Sequence, residues 1–304
     1  MSSEETLRAD IVEVGRRMYA RGYTASNDGN ISARLGADRL VMTPKGVCKG
    51  FMTPDMMCIT DLDGRKLQGA RDPSSEMLMH LEVYRQRPDV QAVVHAHPPT
   101  ATGFAVAGIP LTRAVLAEVL ATLGSIPIAE YATPSTSELP EAVRKYIKAH
   151  DGMLLANHGA LTVGGDLMSA YFKMETIEHF ARISLVARLL GRENLIAREE
   201  VDRLQELRGT YGIKAPAPIC ADPVPSDAAS CQVVEAPVGG GQRLVPDERD
   251  GQARLAGDRP RDAGGHLPGV SLKPARDSEP AEAEIRLTYR ELSALIEEAI
   301  RSLR

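Results

Sequence analysis

The sequence predicts an α/β or α+β domain around a central sheet, followed by a disordered linker and a C-terminal amphipathic helix. Three observations carry that prediction. Segments with strand-like and helical hydrophobic periods alternate over residues 3–213, a pattern that requires helices packed against a sheet. Half of the chain's 20 prolines then crowd into residues 214–283, with Gly239, Gly240 and Gly241 and no sustained period. Such a stretch cannot bury enough apolar surface to offset the entropy of ordering it. Finally, Leu292, Leu295, Ile296, Ala299, Ile300 and Leu303 fall on one helical stripe. The expected division is a folded domain over 1–213, a flexible linker over 214–284 and a helix over 285–304.

Each element has a local reason. Residues 7–20 repeat apolar side chains at helical spacing, and Arg21-Gly22 supplies the stop. Residues 39–43 and 57–61 read as short strands, the second running into a turn at Asp61-Leu62-Asp63-Gly64. Residues 74–87 read as a helix. Residues 90–97 read as a buried strand ended by Pro98 and Pro99, since proline cannot donate to a sheet ladder. Residues 126–131, 153–156 and 160–163 add strands, and 139–149 and 167–190 add helices. At the far end, Thr288 and Glu291 form a capping box, and Leu287 with Leu292 a hydrophobic staple. An isolated helix of that length is marginal in water, so its stripe implies a docking surface.

The bulk numbers exclude some functions. Hydrophobic residues make up 43% of the chain but aromatics only 4%, with no Trp, so the core is expected to be aliphatic. A net charge of −5 leaves no electrostatic footprint for nucleic acid or an anionic membrane. Cys48, Cys58, Cys220 and Cys231 match neither a zinc knuckle nor a CxxC pair and are expected to be reduced thiols. No apolar run approaches the ~20 residues that span a bilayer, and the first ten residues are too polar for a secretory signal. A cytoplasmic protein is expected. The match of Asn30-Ile31-Ser32 to a glycosylation sequon is then accidental.

The chemistry concentrates in a few short segments. His95 and His97 end a strand, where residues two apart share a face, so both imidazoles can reach one ion. His158, in the turn Asn157-His158-Gly159 between two apolar runs, can supply a third ligand. Three histidines leaving an open position are the pattern of a catalytic metal site, with Zn2+ favoured and Mn2+, Fe2+ or Co2+ as alternatives. Glu76 follows Ser74 and Ser75 at a helix start, where free N–H groups favour an anion. Ser26-Asn27-Asp28-Gly29-Asn30 and Thr43-Pro44-Lys45-Gly46 are small, polar turns suited to phosphate. Asp28 is the exception, because a carboxylate there repels an anion unless it points away. His80 stands one helical turn beyond Glu76, behind the ligands. His150, His179 and His266 are expected at the surface or in the linker.

Taken in order, SNDGNIS at 26–32, TPKG at 43–46, PSSE at 73–76, HAH at 95–97, IPIAEYATPST at 126–136, NHG at 157–159 and TYG at 210–212 resemble the class II aldolase/adducin family, specifically its L-fuculose-phosphate aldolase branch. The resemblance implies a three-layer αβα sandwich with a mainly antiparallel sheet, and a homotetramer with active sites between subunits. It places metal ligands on His95, His97 and His158, with Glu76 as a further ligand or acid/base. Phosphate-binding positions fall on Gly29, Asn30, Lys45, Gly46, Ser74 and Ser75. A functional tyrosine falls on Tyr211, while Tyr131 is expected as a half-buried strand residue. The implied reaction cleaves a ketose 1-phosphate such as L-fuculose 1-phosphate into dihydroxyacetone phosphate and a short aldehyde such as lactaldehyde. A divalent cation stabilises the enediolate charge, Glu76 exchanges the proton on carbon, and Tyr211 serves the aldehyde.

Two other readings compete. A pentulose-phosphate 4-epimerase of the same family uses the same bond cleavage, but that branch carries aspartate after the Ser-Ser pair. A non-catalytic adducin-like module would not need three histidines. The branch's second active-site tyrosine is absent from residues 111–123, which leaves the sugar open. The terminal helix resembles an encapsulation peptide of bacterial microcompartment enzymes, which implies shell proteins as partners, with docking on the enzyme itself as the alternative.

Overall fold

A computed structural model of the protein describes residues 3–210 together with residues 213, 217 and 219. Eight strands form one sheet: β1 (Asn30–Leu35), β2 (Arg39–Met42), β3 (Cys58–Asp61), β4 (Lys66–Gln68), β5 (Ala92–Ala96), β6 (Ile128–Ala129), β7 (Gly152–Leu155) and β8 (Gly159–Gly164). Their order is β4-β3-β2-β1-β5-β8-β7-β6. Every pairing is antiparallel except β6 with β7. Seven described helices accompany them: α1 (Ser3–Ala20), α2 (Met77–Gln86), α3 (Pro99–Val106), α4 (Ala117–Thr122), α5 (Glu138–Ile147), α6 (Leu167–Leu189) and α7 (Arg198–Thr210).

Strand alternation divides the apolar side chains between two cores. Ile31, Ala33, Val94 and Ala96 join Ile11 and Val14 of α1, Phe104 of α3 and Met174 and Ile177 of α6. Val93, Met153, Leu155, Leu161 and Val163 join Leu81 and Val83 of α2 and Val143 and Ile147 of α5 on the other side. Helices therefore cover both faces of the sheet, giving the expected α/β sandwich. A smaller cluster around Leu120 and Val201 packs α4 against α7. No described helix is long and apolar enough to cross a membrane.

Several local expectations need correction. β1, β4, α3, α4 and α7 were not expected from periodicity. Pro99 does end the neighbourhood of β5, but it also occupies the first turn of α3, where its missing N–H costs nothing. The strand expected over 126–131 shrinks to Ile128–Ala129, and Tyr131 is 61% exposed rather than half-buried. α2 begins at Met77 rather than 74, with Glu76 at its N-cap. His150 is fully buried instead of lying at the surface, with Nδ1 donating to the Tyr146 carbonyl. His179 is exposed as expected, and Asn30 is buried, which rules it out as a glycan acceptor. Cys48 and Cys58 are free thiols. Of the expected linker, Ala217 and Ile219 are described and buried rather than solvated, Ile219 within the apolar cluster of Leu120 and Val201. Tyr211, Cys220, Cys231, His266, the rest of the linker and the terminal helix lie outside the described residues.

Candidate metal centre

The three histidines converge because two adjacent strand ends deliver them. β5 and β8 pair in register His95↔Leu161 and Ala96↔Ala160, so the chain leaving β5 at His97 meets the chain entering β8 at His158. The turn between β7 and β8 is tight: Asn157 adopts φ 56°. A side chain at Gly159 would put its Cβ 2.5 Å from the Ala96 carbonyl and 2.6 Å from the His97 ring. The small residue after His158 thus lets His97 and His158 face each other. Ring centroids of the trio lie 4.7–5.1 Å apart. One nitrogen from each can be chosen so that all lie within 4.8 Å of one another.

Tautomers follow from the partners behind the rings. A carbonyl only accepts, so His95 Nδ1 must carry the proton it shares with Ala160 O at 2.9 Å, leaving Nε2 bare. His97 Nδ1 lies 3.4 Å from Asp28 Oδ2, which favours the same tautomer. Two unprotonated Nε2 atoms then face each other at 3.1 Å, an arrangement a cation relieves. Glu76 completes the cluster, with Oε2 3.3 Å from His95 Nε2 and Oε1 3.2 Å from His158 Nε2. Ligands held at 2.0–2.1 Å around a tetrahedral zinc are separated by about 3.3–3.4 Å. The donor set fits a divalent ion.

Burial sets the protonation states. It pushes His95 well below the ordinary histidine value, with Glu76 opposing and the neighbouring imidazoles adding to the effect. His97 is lowered for the same first reason. Glu76 feels burial pushing its carboxyl up, but His95, His158 and a bond from Asn30 prevail and hold it well below the usual carboxylate range. His95 and His97 are thus held neutral while the Glu76 carboxylate is charged, the states a metal site requires of them.

Residues 9–185, more than half of the chain, match the Class II Aldolase and Adducin N-terminal domain.

The chain belongs to the class II aldolase/adducin family.

Among its relatives, an L-fuculose phosphate aldolase from Methanococcus maripaludis is 33% identical over 58% of this chain and 95% of its own length. A 3-oxo-tetronate 4-phosphate decarboxylase from Pectobacterium atrosepticum is 31% identical over 61% and 87%. A 5-deoxy-D-ribulose 1-phosphate aldolase from Bacillus thuringiensis is 33% identical over 67% and 96%. The solved L-fuculose-1-phosphate aldolase from Thermus thermophilus superposes with TM-score 0.55 at 31% identity, covering 62% of this chain and 98% of that one. These relatives are aldolases and lyases, and class II aldolases use a divalent metal. This family member is an enzyme of that class.

Around this candidate centre of the class II aldolase family member, the turns expected to hold phosphate are tied to one another. Ser74 N–H donates to Thr43 O at 3.1 Å and Lys45 N–H to Asp72 O at 2.9 Å, which zips the Lys45-Gly46 and Ser74-Ser75 loops together. Gly29 sits at φ 72°, and a Cβ there would come within 2.8 Å of the His95 carbonyl. The Asn30 side chain turns inward instead, donating to Glu76 Oε2 at 2.8 Å. Asp28 faces His97, which removes the conflict with an anion that its sequence position raised. Lys45 is exposed, whereas Lys49, not singled out from sequence, is 2% exposed. Its Nζ donates to Asn27 O and Val47 O, and burial pushes its amine down to about 8. Nothing in the pattern around Lys49 distinguishes it from a surface lysine.

Proposed function

We propose that this enzyme cleaves a ketose 1-phosphate of the L-fuculose 1-phosphate type to dihydroxyacetone phosphate and a short aldehyde such as lactaldehyde. The observation that carries the reading is the Glu76 carboxylate, which closes the histidine cluster with Oε2 tied to Asn30 while Oε1 makes no hydrogen bond. His95, His97 and His158 would hold zinc, with Mn2+, Fe2+ or Co2+ as alternatives, and Glu76 would be a fourth ligand until substrate enters. When bound, the ion supplies electrophilic stabilisation of the oxyanion that develops as the C3–C4 bond breaks. Glu76 Oε1 would hold the proton exchanged at the dihydroxyacetone phosphate carbon. Tyr211, outside the described residues, would serve the aldehyde end.

Phosphate would be held by the zipped loops. Because Asn30 spends its amide on Glu76 and Ser74 its backbone N–H on Thr43, the work would fall to the Lys45 ammonium, Gly29 and Gly46, and the Ser74 and Ser75 hydroxyls. The Lys49 amine would keep the 27 and 47 loops together behind them. A second reading is decarboxylation of a 3-oxo-acid phosphate, favoured by the relative from Pectobacterium atrosepticum; it too leaves an electron-rich enolate-type fragment.

The test is a cleavage assay on fuculose, rhamnulose and ribulose 1-phosphates and on 3-oxo-tetronate 4-phosphate, with and without chelator. Chelator-sensitive release of dihydroxyacetone phosphate supports the first reading, carbon dioxide release the second, and neither sinks both. The reading extends to a homotetramer and to a domain division at 1–213, 214–284 and 285–304, with residues 285–304 binding microcompartment shell proteins. Sedimentation tests the assembly. Co-purification of a reporter fused to residues 280–304 with shells tests the address.

A further inference from the structure

β1 and α2 meet through polar side chains where two apolar faces would be the default. Asn30, Ser32 and Arg34 project from alternate positions of β1 toward α2, while Ile31, Ala33 and Leu35 enter the opposite core. Facing them at four-residue intervals stand Glu76, His80 and Tyr84. The match is geometric: two strand residues advance about 6.6 Å and four helical residues about 6 Å, so the two rows stay in step.

The hydrogen bonds along this seam run in one direction. Asn30 Nδ2 donates to Glu76 Oε2 at 2.8 Å, so its Oδ1 faces the other way and accepts from His80 Nε2. Nδ1 of His80 must then accept, and Ser32 Oγ lies 2.6 Å from it. With its proton given to His80, Ser32 accepts from the Tyr84 hydroxyl at 2.9 Å. Burial pushes His80 down to about 4 and raises Tyr84, so the ring is neutral and the phenol keeps its proton, as the direction demands. Arg34 closes the far end, donating to Tyr84 O at 3.0 Å with its guanidinium 4.8 Å from the Tyr84 ring centroid. A flipped Asn30 amide would aim its oxygen at the carboxylate and its N–H2 at a donor. The chain forbids it.

We infer that His80 is a positioning residue: as the Nε2–H tautomer, with Ser32 partnering its Nδ1, it holds the Asn30 amide in the orientation the Glu76 carboxylate requires and so ties Glu76 Oε2, leaving Oε1 for the metal and the substrate proton. The inference rests on the proposed role of Glu76, but its structural half is testable without activity. Nitrogen chemical shifts of His80 in the full chain should report the Nε2–H tautomer, and the Nδ1–H tautomer would overturn the inference whatever the enzyme cleaves. His80→Leu should lose 10–100-fold in retention of Co2+ against a competing chelator. Its kcat should fall on the same scale while KM for sugar phosphate stays within about two-fold, since the phosphate loops are untouched.

His80→Gln, whose amide can donate to Asn30 and accept from Ser32, should recover most of both losses. Ser32→Ala, a smaller change that releases the tautomer, should show a weaker form of the same defect if the leucine variant does not fold. Wild-type Co2+ retention and kcat in His80→Leu or Ser32→Ala, or equal damage in His80→Leu and His80→Gln, would overturn the inference. A wild-type protein inactive on every substrate would instead count against the proposed function, and the tautomer measurement would still decide the positioning role.

Discussion

Asp28 Oδ2 lies 3.4 Å from His97 Nδ1, while the other ring nitrogen, Nε2, faces His95. A carboxylate behind an imidazole raises its basicity and fixes which nitrogen faces the ion. Asp28→Asn should therefore weaken retention of a divalent ion by about ten-fold, the low end for such partners because Asp28 is partly exposed. Chelator competition measures it. If Asp28 instead repels substrate phosphate, the variant would lower KM and leave metal retention unchanged.

Glu76→Gln keeps the shape of the side chain and removes the charge. The Glu76 side chain makes no cap hydrogen bond to α2, so the variant should fold normally. Its kcat should fall by about 10²–10⁴-fold, the range for loss of a general acid/base. Stopped-time assays at saturating substrate, alongside thermal melts, separate this from misfolding; a kcat equal to that of wild type would remove Glu76 from the proposed proton exchange.

Gly159→Ala should disturb the centre without touching a ligand. The new Cβ would fall 2.5 Å from Ala96 O and 2.6 Å from His97 Cδ2, both on the strand end that carries the site. A clash with backbone cannot be relieved by a rotamer change, so a loss of about 1–3 kcal/mol in stability is expected, with weakened metal retention. Urea unfolding with and without added zinc checks both.

His150 makes the fold sensitive to acid. Burial lowers its folded-state value to about 4, against 6.5 for an ordinary histidine. The unfolded chain therefore takes up this proton first as pH falls. His150 contributes no penalty above about pH 6.5, a growing one between 6.5 and 4, and a constant one of about 3 kcal/mol below that. His150→Gln should flatten the dependence of unfolding free energy on pH across that window by up to one proton. An unchanged slope would show that the ring is already accessible.

Legibility was uneven for physical reasons. His95 and His97 could be read because strand alternation is local, and the NHG turn because its apolar flanks announce two strands. β1 does carry the alternation of a half-buried strand at Ile31, Ala33 and Leu35, but it starts inside the small, polar run from Ser26 to Asn30, whose turn chemistry masks where the strand begins. α3 was hidden because Pro98-Pro99 reads equally as the end of one element and the start of the next. His150 misled because a polar residue near a helix end is usually exposed, and only packing between α5 and the sheet shows otherwise.

Local sequence thus determined the strand carrying His95 and His97, the turn presenting His158, and the position of Glu76 beside a helix start, because short-range periodicity and turn chemistry govern them. Tertiary structure alone decided that Asp28 turns to His97, that Asn30 serves Glu76 and bonds His80, and that Lys49 is buried. Those choices depend on which segments distant in the chain become neighbours, and hydrogen-bond partners 46 or 50 residues apart leave no periodic trace.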